Sequence, residues 1–496
     1  MLVTLTLHQR VVIIFALVTI LFWGCNAASA QTSTLSFNAQ TSWVTLQFDG
    51  MDGQSAAVAG RDAQGRAKLA IVHVSDAKLV ITESELPQDA VAIDAGATGD
   101  DADALFVLTP SHALRIDGIN TPAKRVVAAS SIYKGRSYSA LTGALDFARD
   151  IDGDGIAELV IPGFDALSVY DGVTYAASGT PMLPSVRRSY ENAVTYRPAR
   201  YAIARGTRAS GIQLLAMRGN DLHQFAADTN GFSAAPVVTP LALGLASERD
   251  VEVFYNGDDD IDQSNVVLRE AELLKDINSD GLPDLVTLET RSSGVFDKTS
   301  TYRVHYAQSG SRGVTFNASA DTTLTSNGYQ FGFEVVPLSE TRNAIVSPSA
   351  KIGLRSIISA LFSKSVTLRI SIHAPDSEGM IPDEPNTEVK AKIRFDFGSG
   401  QVQTPTVEFA DLNGDGKNDL VLKSRANMLA WRQNLGDGRF ASKDKKLDLV
   451  APANGENVGV ADFNGDGRDD LIARYSKGDG EALKGTVRWI STLAPQ

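Results

Sequence analysis

The chain has 496 residues, of which 43% are hydrophobic and 21% charged. That supplies enough apolar material for one large domain or several ordinary ones, and it excludes an intrinsically disordered chain. A formal net charge of −13 argues against nucleic acid as a general partner.

The first thirty residues stand apart from the rest. His8 and Arg10 precede an apolar run from Val11 to Gly24, too short for a comfortable membrane span. Ala28-Ser29-Ala30 then offers a small-residue cleavage site. The pattern predicts a secretory signal peptide over residues 1–30, a secreted or periplasmic protein, and no membrane span in the mature chain. Lipid attachment at Cys25 is the alternative, although Phe22 and Trp23 differ from the small and branched residues of a typical lipobox; an uncleaved anchor is a third option. Cys25 is the only cysteine. A chain cleaved after Ala30 has no disulfides and no thiolate chemistry, and draws its rigidity from core size or from metal.

Beyond residue 30 the dominant signal is short β-strands. Leu35–Phe37 and Trp43–Phe48 alternate apolar and polar residues. Ala57 to Ile71 has the outline of strand, turn and strand, a worn copy of later loops framed from Gly60 with Asp62 at its third position. A second worn copy lies over Asp94 to Leu108. The first full copy is the loop Asp150-Ile151-Asp152-Gly153-Asp154-Gly155-Ile156-Ala157-Glu158, followed by the strand Leu159–Ile161. A unit without acids follows near Tyr201 to Phe225. Full copies return at Asp276 to Asp284, Asp411 to Asp419 and Asp462 to Asp470. Starts near 60, 95, 150, 205, 276, 411 and 462 make seven units, at a spacing that suits a four-stranded blade. The long gap before 411 predicts an α+β insertion over 320–400. Within it Leu354, Ile357, Ile358, Leu361 and Phe362 fall at helical spacing.

The four full loops share one frame. Oxygen-bearing side chains stand at positions 1, 3, 5 and 9, and glycine at 6 lets the chain turn sharply around a common centre. Such a donor set suits calcium. The ligands read as Asp150, Asp152, Asp154 and Glu158; Asp276, Asn278, Asp280 and Asp284; Asp411, Asn413, Asp415 and Asp419; Asp462, Asn464, Asp466 and Asp470. Position 7 contributes a backbone carbonyl, from Ile156, Leu282, Lys417 and Arg468, so its side chain is free to vary. About four calcium ions are expected. An EF-hand is excluded, because it needs Glu at position 12 and flanking helices. Position 12 here is Ile161, Thr287, Leu422 and Ala473, each inside a predicted strand. A metal-free Asp/Asn-Gly turn is the remaining competitor. Four copies in one frame count against it, and so does the mutual repulsion of crowded carboxylates. Those loops hold 13 acidic side chains at ligand positions, so much of the negative charge has a local explanation.

The motif Asp-x-Asp/Asn-Gly/Ser-Asp-Gly-x-x-Asp/Glu-Leu followed by a strand resembles the FG-GAP and VCBS repeats, and is similar to the calcium loops of integrin alpha subunits. Trp431 to Phe440 looks like the strand and turn that follow the loop in VCBS repeats. The resemblance implies an all-β, seven-bladed β-propeller with calcium in hairpins between adjacent strands. Residues 31–319 would form its first part and 401–496 its last blades. Ring closure would pair the last repeat with Leu35–Phe37 or Trp43–Phe48, removing two open sheet edges.

No catalytic motif is present: no His-Glu-x-x-His, no Gly-x-Ser-x-Gly, no phosphate loop and no dinucleotide glycine pattern. No catalytic residues are assigned. The loop acids are committed to metal, and His73, His112, His223, His305 and His373 are scattered. The expectation is a binding or interaction module for a protein or polysaccharide partner. A propeller-fold polysaccharide lyase or hydrolase is the alternative. Arg187, Arg188, Arg197, Arg200, Arg205 and Arg208, interleaved with Tyr190, Tyr196 and Tyr201, form a candidate ligand-binding group for an anionic polysaccharide.

Overall fold

The computed structural model describes residues 30–491, except 100, 135–140, 142–144, 191–192, 208–210, 229–230, 248–263, 294–297, 327, 331, 352–358, 361, 397–400 and 425–426. The fold is all-β. The described strands form seven sheets of four or more strands; the nine-stranded one divides at the short strand Gly231–Phe232, which pairs in parallel with Ala177–Gly179, so that eight antiparallel groups follow one another along the described chain.

Sheet 1 pairs Asn38–Ala39 and Val44–Leu46 with Ser55–Arg61, then adds Ala67–Ser75 and Lys78–Glu85. Sheet 2 runs Ala92–Ala97, Asp103–Leu108, His112–Ile116 and Lys124–Ala128. Sheet 3 is Ala148–Arg149, Glu158–Pro162, Leu167–Tyr170 and Ala177–Gly179. Sheet 4 is Ala202–Thr207, Gly211–Arg218, Asp221–Asp228 and Val237–Pro240, and sheet 5 is Ser264–Lys275, Asp284–Ser293, Lys298–His305 and Thr322–Ser326. Sheet 6 starts with Tyr329–Gln330 and Glu334–Ser339, continues through Arg342–Ala350, Ser365–His373 and Thr387–Asp396, and ends with Gln401–Gln403. Sheet 7 is Val407–Ala410, Asp419–Lys423, Met428–Arg432 and Lys445–Val450. Sheet 8 is Val458–Ala461, Asp470–Arg474, Thr486–Ile490 and, last, Gln31–Thr34 from the other end of the chain.

Each sheet shares an apolar core with the next. Leu69 of sheet 1 packs in one cluster with Leu105 of sheet 2, Phe106 with Leu159 of sheet 3, and Val160 with Phe225 of sheet 4. Leu215 meets Leu285 of sheet 5, Tyr302 meets Ile345 of sheet 6, Ile370 meets Leu420 of sheet 7, and Leu429 meets Leu471 of sheet 8. Val487 of sheet 8 then packs with Val58 and Val72 of sheet 1. The series closes into a ring, the arrangement of a β-propeller. Sheets sandwiched on both faces need continuous apolar strands, which is why Glu158–Pro162 and Ser55–Arg61 are buried along their whole length.

Three expectations are corrected. The seven-unit count took 320–400 as an insertion, but Tyr329 to Gln403 form sheet 6, with the same antiparallel meander as the others. The helical stripe falls mostly on 352–358 and 361, outside the described residues; Ser359, Ala360, Phe362 and Ser363 have helical backbone. The turn framed from Gly60 joins the second and third strands of sheet 1, so it is no counterpart of the full loops. Their counterpart in that sheet is 47–54. Ring closure uses Gln31–Thr34, paired Gln31↔Trp489 to Thr34↔Thr486. Val44–Leu46 instead joins sheet 1.

Candidate metal centres

All four full loops join the first strand of a sheet to the second, so they lie on one rim of the ring. Their turns are built alike. The position-1 carboxylate accepts backbone N–H groups from positions 4 to 6: Gly153 to Asp150 (2.6 Å), Gly281 to Asp276 (2.8 Å), Gly416 to Asp411 (2.7 Å) and Gly467 to Asp462 (2.8 Å). Position 5 accepts from the N–H of position 7, as Asp154 does from Ile156 (2.8 Å) and Asp415 from Lys417 (3.1 Å); Asp280 and Asp466 do the same with Leu282 and Arg468. The glycine at position 6 takes φ of +83°, +85°, +76° and +80°, a conformation that L side chains avoid.

Position 9 is the first residue of the second strand, and it is buried: Glu158 is 8% exposed, while Asp284, Asp419 and Asp470 are 0% exposed. N–H donors hold each one. Ile151 donates to Glu158 (2.7 Å), Ile277 and Ala307 to Asp284 (2.9 Å each), Asn434 to Asp419 (2.8 Å), and the Trp489 indole to Asp470 (3.2 Å). Burial, aided by the charges of acids in the same loop, pushes the carboxyls of Glu158, Asp284 and Asp419 up to about 7. A divalent cation would relieve that crowding. In the first loop, oxygens of Asp150, Asp152 and Glu158 already lie within 4.8 Å of one another. In the other three, the position-3 amide turns its nitrogen toward an acid: Asn278 toward Asp280 (3.0 Å), Asn413 toward Asp419 (3.1 Å) and Asn464 toward Asp466 (3.3 Å). Those loops fit calcium once the amide presents its oxygen instead.

The loops and their counterparts are also tied to one another around the rim. Gln54 N–H donates to Asp462 O (2.7 Å), and Gln47 and Asp103 exchange two bonds. Gly99 N–H donates to Gly155 O (3.0 Å). Arg205 Nε donates to Ile151 O (3.2 Å), and its own N–H to Gly281 O (3.1 Å). Asn343 Nδ2 reaches Asp276 O (3.4 Å), Asn418 N–H reaches Leu338 O (2.9 Å), and Asp469 N–H reaches Asp411 O (3.0 Å). Asp411 N–H returns a bond to the Asp469 carboxylate (2.7 Å). Every sheet-to-sheet junction is therefore hydrogen-bonded on this rim.

The arginine group divides. Arg187, Arg197 and Arg200 line one cleft of about 820 Å³ together with Arg218, which sequence reading missed. Arg218 ends the second strand of sheet 4, too far along the chain to join the earlier cluster by spacing alone. Arg205 is not free for a ligand, because its guanidinium is committed to the Asp150 loop, including a 3.4 Å contact with Asp150. The Arg188 and Tyr190 side chains and Arg208 lie outside the described residues. Tyr196 meets Phe164 edge-on at 4.8 Å, and Arg149 sits over the Tyr201 ring at 5.3 Å. A second cleft of about 690 Å³, lined by first strands of sheets 3 to 5, adjoins the first through Arg200. Burial raises Glu272 there and lowers Lys275.

Repeat, ring and loops define a class, that of β-propellers with FG-GAP-type turns. Residues 399–473, which hold the loops at 411 and 462, match the FG-GAP-like repeat. No curated protein matches the chain. Among solved structures it is similar to BBS1N in complex with ARL6DN, at 12% identity and a TM-score of 0.38 over 80% of this chain and 94% of that one. It is also similar to the WD40 domain of Toxoplasma gondii coronin (10%, TM-score 0.35, over 95% and 100%). A third is the WD40 domain of SCAP from fission yeast (9%, TM-score 0.27, over 73% and 90%). The propeller architecture here rests on sheet order and shared cores, not on these likenesses. Among the described residues no helix is long and apolar enough to cross a membrane.

Proposed function

We propose that this protein is an exported, eight-bladed propeller, stiffened by about four calcium ions, that works as a binding module for a polysaccharide or protein. The observation that supports it most is the repeated buried acid at position 9. In all four loops it stands behind a turn of oxygen donors on one rim. Calcium there would neutralise crowded carboxylates and pin adjacent sheets, so the loop acids serve architecture and leave the open faces for a partner. Export fits the fold, because cleavage after Ala30 would leave Gln31–Thr34 intact to close the ring. The test is melting with calcium and with chelator, alongside metal analysis of the purified protein. Calcium-dependent melting with bound calcium supports the reading. An unchanged melting curve with no bound metal would end it. N-terminal sequencing of material recovered outside the cytoplasm tests export.

A further inference from the structure

The cleft of about 820 Å³ lies between sheets 4 and 5, under the two-stranded hairpin Val186–Tyr190 and Ala193–Arg197. Four arginines line it, and among the described lining residues Glu270 is the one acid. In a chain of net charge −13, exposed arginines ordinarily find carboxylates. Among the described residues Arg187 and Arg197 make no ion pair, and both are exposed. Arg200 spends one N–H on the Glu272 carbonyl (2.7 Å) and keeps the rest of its fork. Arg200 is also the bridge to the neighbouring cleft of about 690 Å³, which Glu272 lines. The two clefts share Pro198, Ala199, Arg200, Met217 and Ala271 and so adjoin as a groove, with guanidinium donors along it and the Glu272 carboxylate beside them.

That mixture selects a ligand. Guanidinium forks pair with anionic oxygens in two-point contacts. The carboxylates would repel a ligand that carries only anionic groups, but they accept hydrogen bonds from hydroxyls. An acidic saccharide chain carries both. We propose that the groove holds a segment of an acidic saccharide, with its anionic groups on Arg187, Arg197 and Arg200 and its hydroxyls on Glu272. This deepens the binding-module reading and rests on it, but does not depend on how many loops hold calcium.

The test is calorimetric titration of the full chain with a hyaluronan oligosaccharide, with dextran as the neutral control and polyglutamate as the peptide polyanion. A double variant, Arg187→Ser with Arg197→Ser, removes the two unpaired arginines and is expected to melt as the parent does. Saturable hyaluronan binding that weakens roughly ten-fold in the variant and falls with salt supports the proposal. Equal binding by variant and parent, tighter binding of polyglutamate, or no anion binding at all would overturn it. Two outcomes separate this proposal from the reading beneath it. Hyaluronan cut into shorter products keeps the groove and removes the binding-module reading. Capture of neutral glycan without hyaluronan binding keeps the module and removes the groove assignment.

Discussion

Two strand glutamates, one half-buried and one buried, respond to pH with opposite signs. Burial first, then the charges of Glu334 and Glu456, push the Glu408 carboxyl up to about 8. The unfolded group titrates near about 4.3. Between those values the native state holds a proton that the unfolded chain has released, so stability falls as pH rises through the window. Glu408→Gln is expected to match the parent in acid and to exceed it above pH about 8, as read by denaturant midpoints at both ends; a variant weaker in alkali would refute the assignment. Glu289 is the reverse. Burial alone would raise it, but hydrogen bonds from Arg269, Arg291 and Arg303 outweigh that and hold it at about 2. Its contribution is complete above the ordinary glutamate range and is lost as pH falls toward 2. Glu289→Gln should cost about 1–3 kcal/mol at neutral pH, with a matching fall in denaturant midpoint. Neither residue was legible in the sequence. Each reads as one more polar position in a strand: Arg291 shares a strand with Glu289, but Arg269 and Arg303 arrive from the strands on either side, and Glu334 and Glu456 come to Glu408 from outside its strand.

At the scale of elements the loops were legible and the quiet units were not. Asp and Gly in a nine-residue frame announce a turn whatever surrounds them, so the loops at 150, 276, 411 and 462 join adjacent strands as expected. Sheet 6 lacks that frame: its first and second strands meet in a tight turn at Glu340-Thr341. With no Asp/Gly frame to mark it, the segment reads as an insertion. The closing strand was legible in principle but not in position, because Gln31–Thr34 is short and polar while Trp43–Phe48 alternates better. Its role is testable. A chain starting after Thr34 leaves Thr486–Ile490 as an open edge, and should melt lower and self-associate on size-exclusion chromatography; an unchanged monomer would show that closure contributes nothing. The seam beside it is tight. A Cβ at Gly465 would sit 2.2 Å from Asp52 O, and φ there is +72°. Gly465→Ala should therefore cost about 1–3 kcal/mol, from strain and from a forced shift of the 47–54 loop, with a fall in melting temperature as the readout.

At the scale of the whole molecule, the rim would decide how a bound metal acts. A loop that met only its own hairpin would gain local order from calcium and pass little of it on. Here the Asp411 backbone is gripped by Asp469 of the next loop, and the Asp276 and Asp462 carbonyls accept bonds from neighbouring sheets. Fixing one turn therefore fixes a junction, and the eight junctions run unbroken around the ring. A site filled at a hundredfold excess over its Kd adds about 2.7 kcal/mol to the native state. Several such sites should move a single cooperative transition rather than melt sheets in turn. Asp415→Ala isolates one site cleanly: the side chain is exposed and accepts a turn hydrogen bond from the Lys417 N–H. The expected result is one calcium fewer per chain and an unchanged melting temperature in chelator. In calcium, the gain in melting temperature should be smaller but still a single transition. A variant that splits the calcium-loaded transition in two would mean that the loops stabilise their own sheets alone, and that the rim bonds do not carry the effect around the ring.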